Sequence, residues 1–75
     1  MTKHALLEHL AEIESADAID VADTFGITYA AAAMALLRLT RQGLLRRYIG
    51  ADEGHYYYEL SERGHARLEF FQAHH

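Results

Sequence analysis

The spacing of apolar residues changes after Gly43 in this 75-residue chain, and that change confines it to a mixed α+β fold. Before Gly43, apolar side chains recur three and four residues apart, the mark of helices that bury one face. Leu6, Leu7, Leu10 and Ile13 form one such stripe; Ile19, Val21, Ala22 and Phe25 form a second; Ala32, Ala35, Leu36 and Leu39 form a third. After Gly43, residues 45–49 and 56–60 read as strands, the second opening on three consecutive tyrosines. Between them Gly50-Ala51-Asp52-Glu53-Gly54-His55 holds two glycines and reads as a turn, so the strands form a hairpin. Alternation puts Tyr56, Tyr58 and Leu60 on one face and Tyr57 and Glu59 on the other.

Proline is absent, so helix ends must come from caps and glycines. Thr2 caps a first helix that runs to about Glu14. Ser15, Ala16 and Asp17 interrupt it, and Asp17 with Asp20 makes a capping pair for a second helix, Ala18 to Phe25. Gly26 stops that helix and Thr28 caps the next, Tyr29 to Gln42. Five of the first seven residues of this third helix are alanine, the strongest helix former. Ser61 caps a last helix to about Ala73, with Leu68 and Phe71 on its inner stripe and Phe70 left outside. No repeat and no linker interrupts the chain, so a single domain over residues 1–75 is expected.

Charge is unevenly spread. The net charge is -4, yet no acidic residue lies between Asp23 and Asp52, where Arg38, Arg41, Arg46 and Arg47 all fall. A net-acidic chain does not bind nucleic acid through bulk charge. A cationic segment between acidic flanks instead keeps a local positive surface, and such a surface commonly meets phosphate.

Other classes are disfavoured. There is no cysteine, which removes disulfides and zinc-thiolate sites. No apolar run approaches the roughly 18 residues of a membrane span, and no signal peptide is evident, so a soluble cytoplasmic protein is expected. His4/Glu8 and His65/Glu69 are spaced i,i+4, but a metal site needs more convergent ligands than two. No metal and no cofactor are therefore expected. Ser15 and Ser61 are explained as turn and cap residues. With no thiol, no glycine-rich phosphate loop and little volume for a substrate pocket, an enzyme is not expected.

Three stretches taken in order carry a resemblance. Residues 21–28 (Val-Ala-Asp-Thr-Phe-Gly-Ile-Thr) resemble the second helix and turn of a helix-turn-helix. Residues 36–45 (Leu-Leu-Arg-Leu-Thr-Arg-Gln-Gly-Leu-Leu) resemble the end of a recognition helix entering a first wing strand. Residues 58–64 (Tyr-Glu-Leu-Ser-Glu-Arg-Gly) resemble the exit from a wing into a closing helix. Together they resemble the winged helix-turn-helix domain of MarR-like and PadR-like regulators: three helices, a two-stranded wing hairpin and a C-terminal helix. The resemblance implies a DNA-binding transcriptional regulator or accessory factor, with the third helix in the major groove of double-stranded DNA and the wing on the backbone. It places Thr28, Tyr29, Ala30, Ala31, Ala33, Met34 and Leu37 facing DNA. Arg38, Arg41, Arg46 and Arg47 fall on phosphates, and His55, Tyr56 and Tyr57 near the wing.

The reading face so defined is apolar. Base readout usually employs Arg, Lys, Asn or Gln, and here Ala, Met and Leu stand in their place, with hydroxyls only on Thr28 and Tyr29. Asp52 and Glu53 at the wing tip would repel phosphate. A second reading is therefore a winged-helix interaction module that docks a protein partner on the apolar face of the third helix. In either reading the terminal helices, with adjacent Phe70 and Phe71, imply a homodimer.

Overall fold

A computed structural model describes residues 1–51 and 54–74. The elements run α1 (Lys3–Ile13), α2 (Ala18–Phe25), α3 (Tyr29–Arg41), β1 (Leu45–Ile49), β2 (Tyr56–Leu60) and α4 (Glu62–Ala73). Every helix begins at a side-chain cap. Thr2, Asp17, Thr28 and Ser61 accept hydrogen bonds from the backbone N–H groups of Ala5, Asp20, Ala31 and Gly64, respectively. Each cap satisfies an N–H that the first turn leaves unpaired, worth about 1 kcal/mol.

Helix ends are set by glycines where the backbone turns left-handed. Gly26 (φ 63°) closes α2, and the Ile27 N–H reaches back to the Ala22 carbonyl at 3.0 Å. Gly43 (φ 79°) closes α3 in a Schellman turn: Gly43 N–H donates to Thr40 and Leu44 N–H to Leu39, both at 3.0 Å. α1 ends differently, at Glu14 with φ 74° and ψ -51°, where Ser15 N–H bonds the Ile13 carbonyl at 2.9 Å in a tight γ-turn.

That turn lays Ala16 beside β2. Ala16 and Tyr58 exchange both backbone hydrogen bonds (3.1 and 2.8 Å), adding a one-residue third edge to the β1–β2 hairpin. The hairpin is antiparallel, with Leu45 opposite Leu60, Arg47 opposite Tyr58 and Ile49 opposite Tyr56. Its inner face and the inner stripes of the helices share one core of Leu6, Leu7, Leu10, Val21, Leu36, Leu39, Leu44, Tyr58, Leu60 and Leu68. Full burial of each such leucine stabilises by about 1.5–3 kcal/mol.

The inner stripes are shorter than the sequence implies. Ile13, Ile19 and Phe71 are 40%, 54% and 36% exposed. Ile13 falls in the last turn of α1, and Ile19 lines the surface depression beside the hairpin while its neighbour Ala18 enters the core. Phe71 meets the His4 ring of α1 in an edge-on contact. Tyr56 keeps the expected face, but its strand end overruns the core and it is exposed.

Candidate nucleic-acid interface

α3 is the helix that the fold displays. Ala32, Leu36 and Leu39 are buried, and Ala33 and Ala35 pack partly against the core. At 100° per residue, the opposite side carries Ala30, Met34, Leu37 and Arg41 in succession. Ala30, Met34 and Arg41 are exposed and Leu37 is half-buried. Two shallow grooves flank this stripe. On one side Ala31 and Arg38 line a groove with Thr2, Lys3 and Ile27 at the start of α1. On the other, Tyr29 and Ala33 line a depression with Ile19, His55 and Tyr56. The seven residues expected to face DNA thus divide. Ala30, Met34 and Leu37 face outward, Ala31 turns toward α1, and Tyr29 and Ala33 turn toward the hairpin. The hydroxyl oxygen of Thr28 is engaged by Ala31 N–H at 3.1 Å.

The arginines also divide. Arg38 and Arg41 stand exposed in the last turn of α3, where the helix dipole favours cations. Arg47 stretches over the Tyr56 ring, its guanidinium carbon 4.0 Å from the centroid. Among the described residues, none of these three makes an ion pair. Arg46 points to the opposite hairpin face and pairs across the strands with Glu59 at 3.4 Å. It does not join the other three. Adjacent strand residues must point apart, so this separation was implicit in the strand assignment itself. Lys3 joins the surface instead, lining the groove with Arg38. Its distance from Arg38 in sequence conceals this, and no local pattern marks it.

His55 and Tyr57 pack inside the hairpin region. The His55 ring lies 5.0 Å from that of Tyr57, and Tyr57 stacks on Tyr48 at 6.0 Å. His55 Nε2 also meets Asp17 Oδ2 at 2.9 Å, fastening the wing to the start of α2. Burial works against the charge of Asp17. The Asp20 N–H and the His55 contact outweigh it and hold the carboxyl below its ordinary value. Asp17 and Asp20 form a reciprocal capping box, so carboxylates already occupy the N–H groups at the start of α2. Phosphate would be met by arginines and not by this helix end. Asp52 and Glu53, expected to repel phosphate at the wing tip, lie outside the described residues.

Among the described residues no three His, Cys, Asp or Glu side chains converge as a metal site would. His4 and Glu8 make a simple i,i+4 pair at 3.3 Å. No single helix is long and apolar enough to cross a membrane.

Neither a protein-family model nor a curated protein matches the sequence. Solved structures do. A MepR-like protein superposes with a TM-score of 0.82 at 26% identity over 89% of this chain and 48% of its own. A "probable transcriptional regulator" from Pseudomonas aeruginosa gives 0.86 at 26%, over 95% of this chain and 54% of its own. MarR from E. coli gives 0.82 at 18%, over 91% and 48%. The chain spans about half the length of the structures it matches. Four helices around a two-stranded antiparallel hairpin, superposing on these regulators, make the fold a MarR-like winged helix-turn-helix.

Proposed function

We propose that residues 1–75 form a single winged helix-turn-helix domain that binds double-stranded DNA as a transcriptional regulator or accessory factor. α3 enters the major groove and the hairpin tracks the backbone. The observation that carries this reading is that Arg38 and Arg41 in the last turn of α3, and Arg47 on β1, stand exposed and make no ion pair among the described residues. The matched structures are transcription regulators, which supports the same class and lends none to an enzyme or to a docked protein partner. The domain acts as a homodimer through its terminal helices and works in the cytoplasm, where DNA is accessible.

Fluorescence anisotropy with mixed-sequence duplex DNA at two salt concentrations tests the proposal. Three phosphate contacts per chain predict log K falling with log salt at a slope of about -2.7 per chain. Replacing Arg38 and Arg41 together by Gln is expected to shallow the slope by about 2 units per chain. No binding at low salt would overturn the proposal and leave a protein docked on α3 as the surviving alternative.

A further inference from the structure

We propose that α3 reads the 5-methyl groups of thymine: Ala30, Met34 and Leu37 seat against the methyl edge of A·T pairs in the major groove. The inference rests on the placement of α3 in that groove proposed above and adds what the helix recognises there.

The outward stripe lacks strong hydrogen-bonding groups over Ala30, Met34 and Leu37. Ala30 and Leu37 can neither give nor take a hydrogen bond, and the Met34 sulfur is only a weak acceptor. Apart from Arg41 at the C-terminal end of the stripe, the polar groups of α3 lie to its sides. Thr28 caps the helix, Tyr29 leans into the depression beside the hairpin, and Arg38 lies in the groove beside α1. In the major groove a base pair presents hydrogen-bonding edges and, on thymine alone, a methyl group. An apolar stripe gains only from the methyl. Both A·T and G·C edges present three hydrogen-bonding groups that the stripe would desolvate without return, and only the A·T edge adds a methyl to offset that cost. The thymine methyl is therefore the group by which this stripe tells the two pairs apart.

Size and charge agree. Ala30 to Leu37 spans about 10 Å along the helix axis, roughly three base-pair steps. The short side chains of Ala30, Ala31 and Ala33 allow the helix backbone to come close to the bases. Met34, 46% exposed, supplies a flexible and polarisable contact. Arg41 continues the stripe at its C-terminal end and Arg38 flanks it, so the apolar strip is bordered by cations suited to the phosphates on either side. Charge complementarity thus selects a duplex over an uncharged partner for this face.

The test is anisotropy of the full chain at one low salt concentration with duplexes of equal length. One is A·T-rich, one carries deoxyuridine at every thymine, and one G·C-rich duplex is compared with its 5-methylcytosine counterpart. Loss of each seated methyl should weaken binding about fourfold. Methylation of cytosine should tighten binding in the same sense. Met34→Ala, which removes an exposed side chain and leaves the core intact, should narrow the thymine–uridine gap without changing the salt slope. Equal affinity for thymine and uridine duplexes overturns the inference while leaving DNA binding in place. So does a gap that Met34→Ala and Leu37→Ala both leave unchanged, because the preference would then come from duplex stiffness. Failure to bind any of the duplexes overturns the proposed function itself, and this inference with it.

Discussion

Asp17 has two partners at the seam between α2 and the hairpin. Oδ1 accepts the Asp20 N–H at 2.8 Å, and Oδ2 meets His55 Nε2 at 2.9 Å. The carboxyl is held below its ordinary value of 3.8, so the unfolded chain takes up this proton at a higher pH than the native one. The stabilisation is therefore complete above that ordinary value and is lost as pH falls through the lowered native one. Urea unfolding across an acid series should show this loss in the native sequence, and Asp17→Asn should remove part of it. Because Asn is itself a good cap, the variant should lose only about 1 kcal/mol at neutral pH. An acid profile identical in both proteins would contradict this account. Glu14 is the other constrained residue. Its φ of 74° is strained for any side chain, and glycine adopts it freely. Glu14→Gly should raise stability by about 1 kcal/mol in thermal unfolding. An unchanged or lower midpoint would show that the γ-turn carries no strain.

At the scale of elements, the hairpin and α4 are joined to the end of α3 by one serine. The Ser61 hydroxyl donates to the Gly43 carbonyl at 2.6 Å and accepts from Gly64 N–H at 3.0 Å, while Ser61 N–H bonds the Leu44 carbonyl at 3.0 Å. α4 sits so close that a Cβ on Gly64 would overlap the Leu44 carbonyl oxygen. Ser61→Ala loses the cap and strands a part-buried acceptor, so it should cost about 2 kcal/mol in chemical denaturation, against about 1 for Thr2→Ala at the exposed cap of α1. Equal costs would mean that Ser61 is only a cap. Caps and glycine stops act over three or four residues, which is why all four helices and both strands were legible from Thr2, Asp17, Gly26, Thr28, Gly43 and Ser61. Contacts between distant segments were not. The Ala16–Tyr58 bridge is too short to have a period. The Asp17–His55 contact, and Lys3 beside Arg38, join residues that nothing local connects. For the candidate site, the clustering of arginines was legible, and so was the divergence of Arg46 from Arg47 by strand alternation, whereas the choice of Glu59 as the partner of Arg46 needs the strand register.

For the molecule as a whole, the unresolved load is on α4. Its outer surface carries Phe70, 55% exposed, beside Phe71, with Ala66, Arg63 and Arg67 around them. A core this small gains from association, since chains of this length have little buried surface to spare. Two-fold pairing of terminal helices would also set two copies of α3 about one helical turn of DNA apart, near 34 Å. Association and DNA binding then become linked quantities. A dimer making three phosphate contacts per chain should show a salt slope of about -5.4, twice that of one chain. Phe70→Glu places a carboxylate in the seam without touching the core. It should yield a monomer in sedimentation equilibrium, retain its helical circular dichroism, halve the salt slope and weaken binding through lost avidity. If the native sequence sediments only as monomer at the highest attainable concentration, pairing through α4 is refuted. If it sediments as a dimer and Phe70→Glu leaves that dimer intact, the seam lies elsewhere on the surface and the exposed phenylalanines need another explanation.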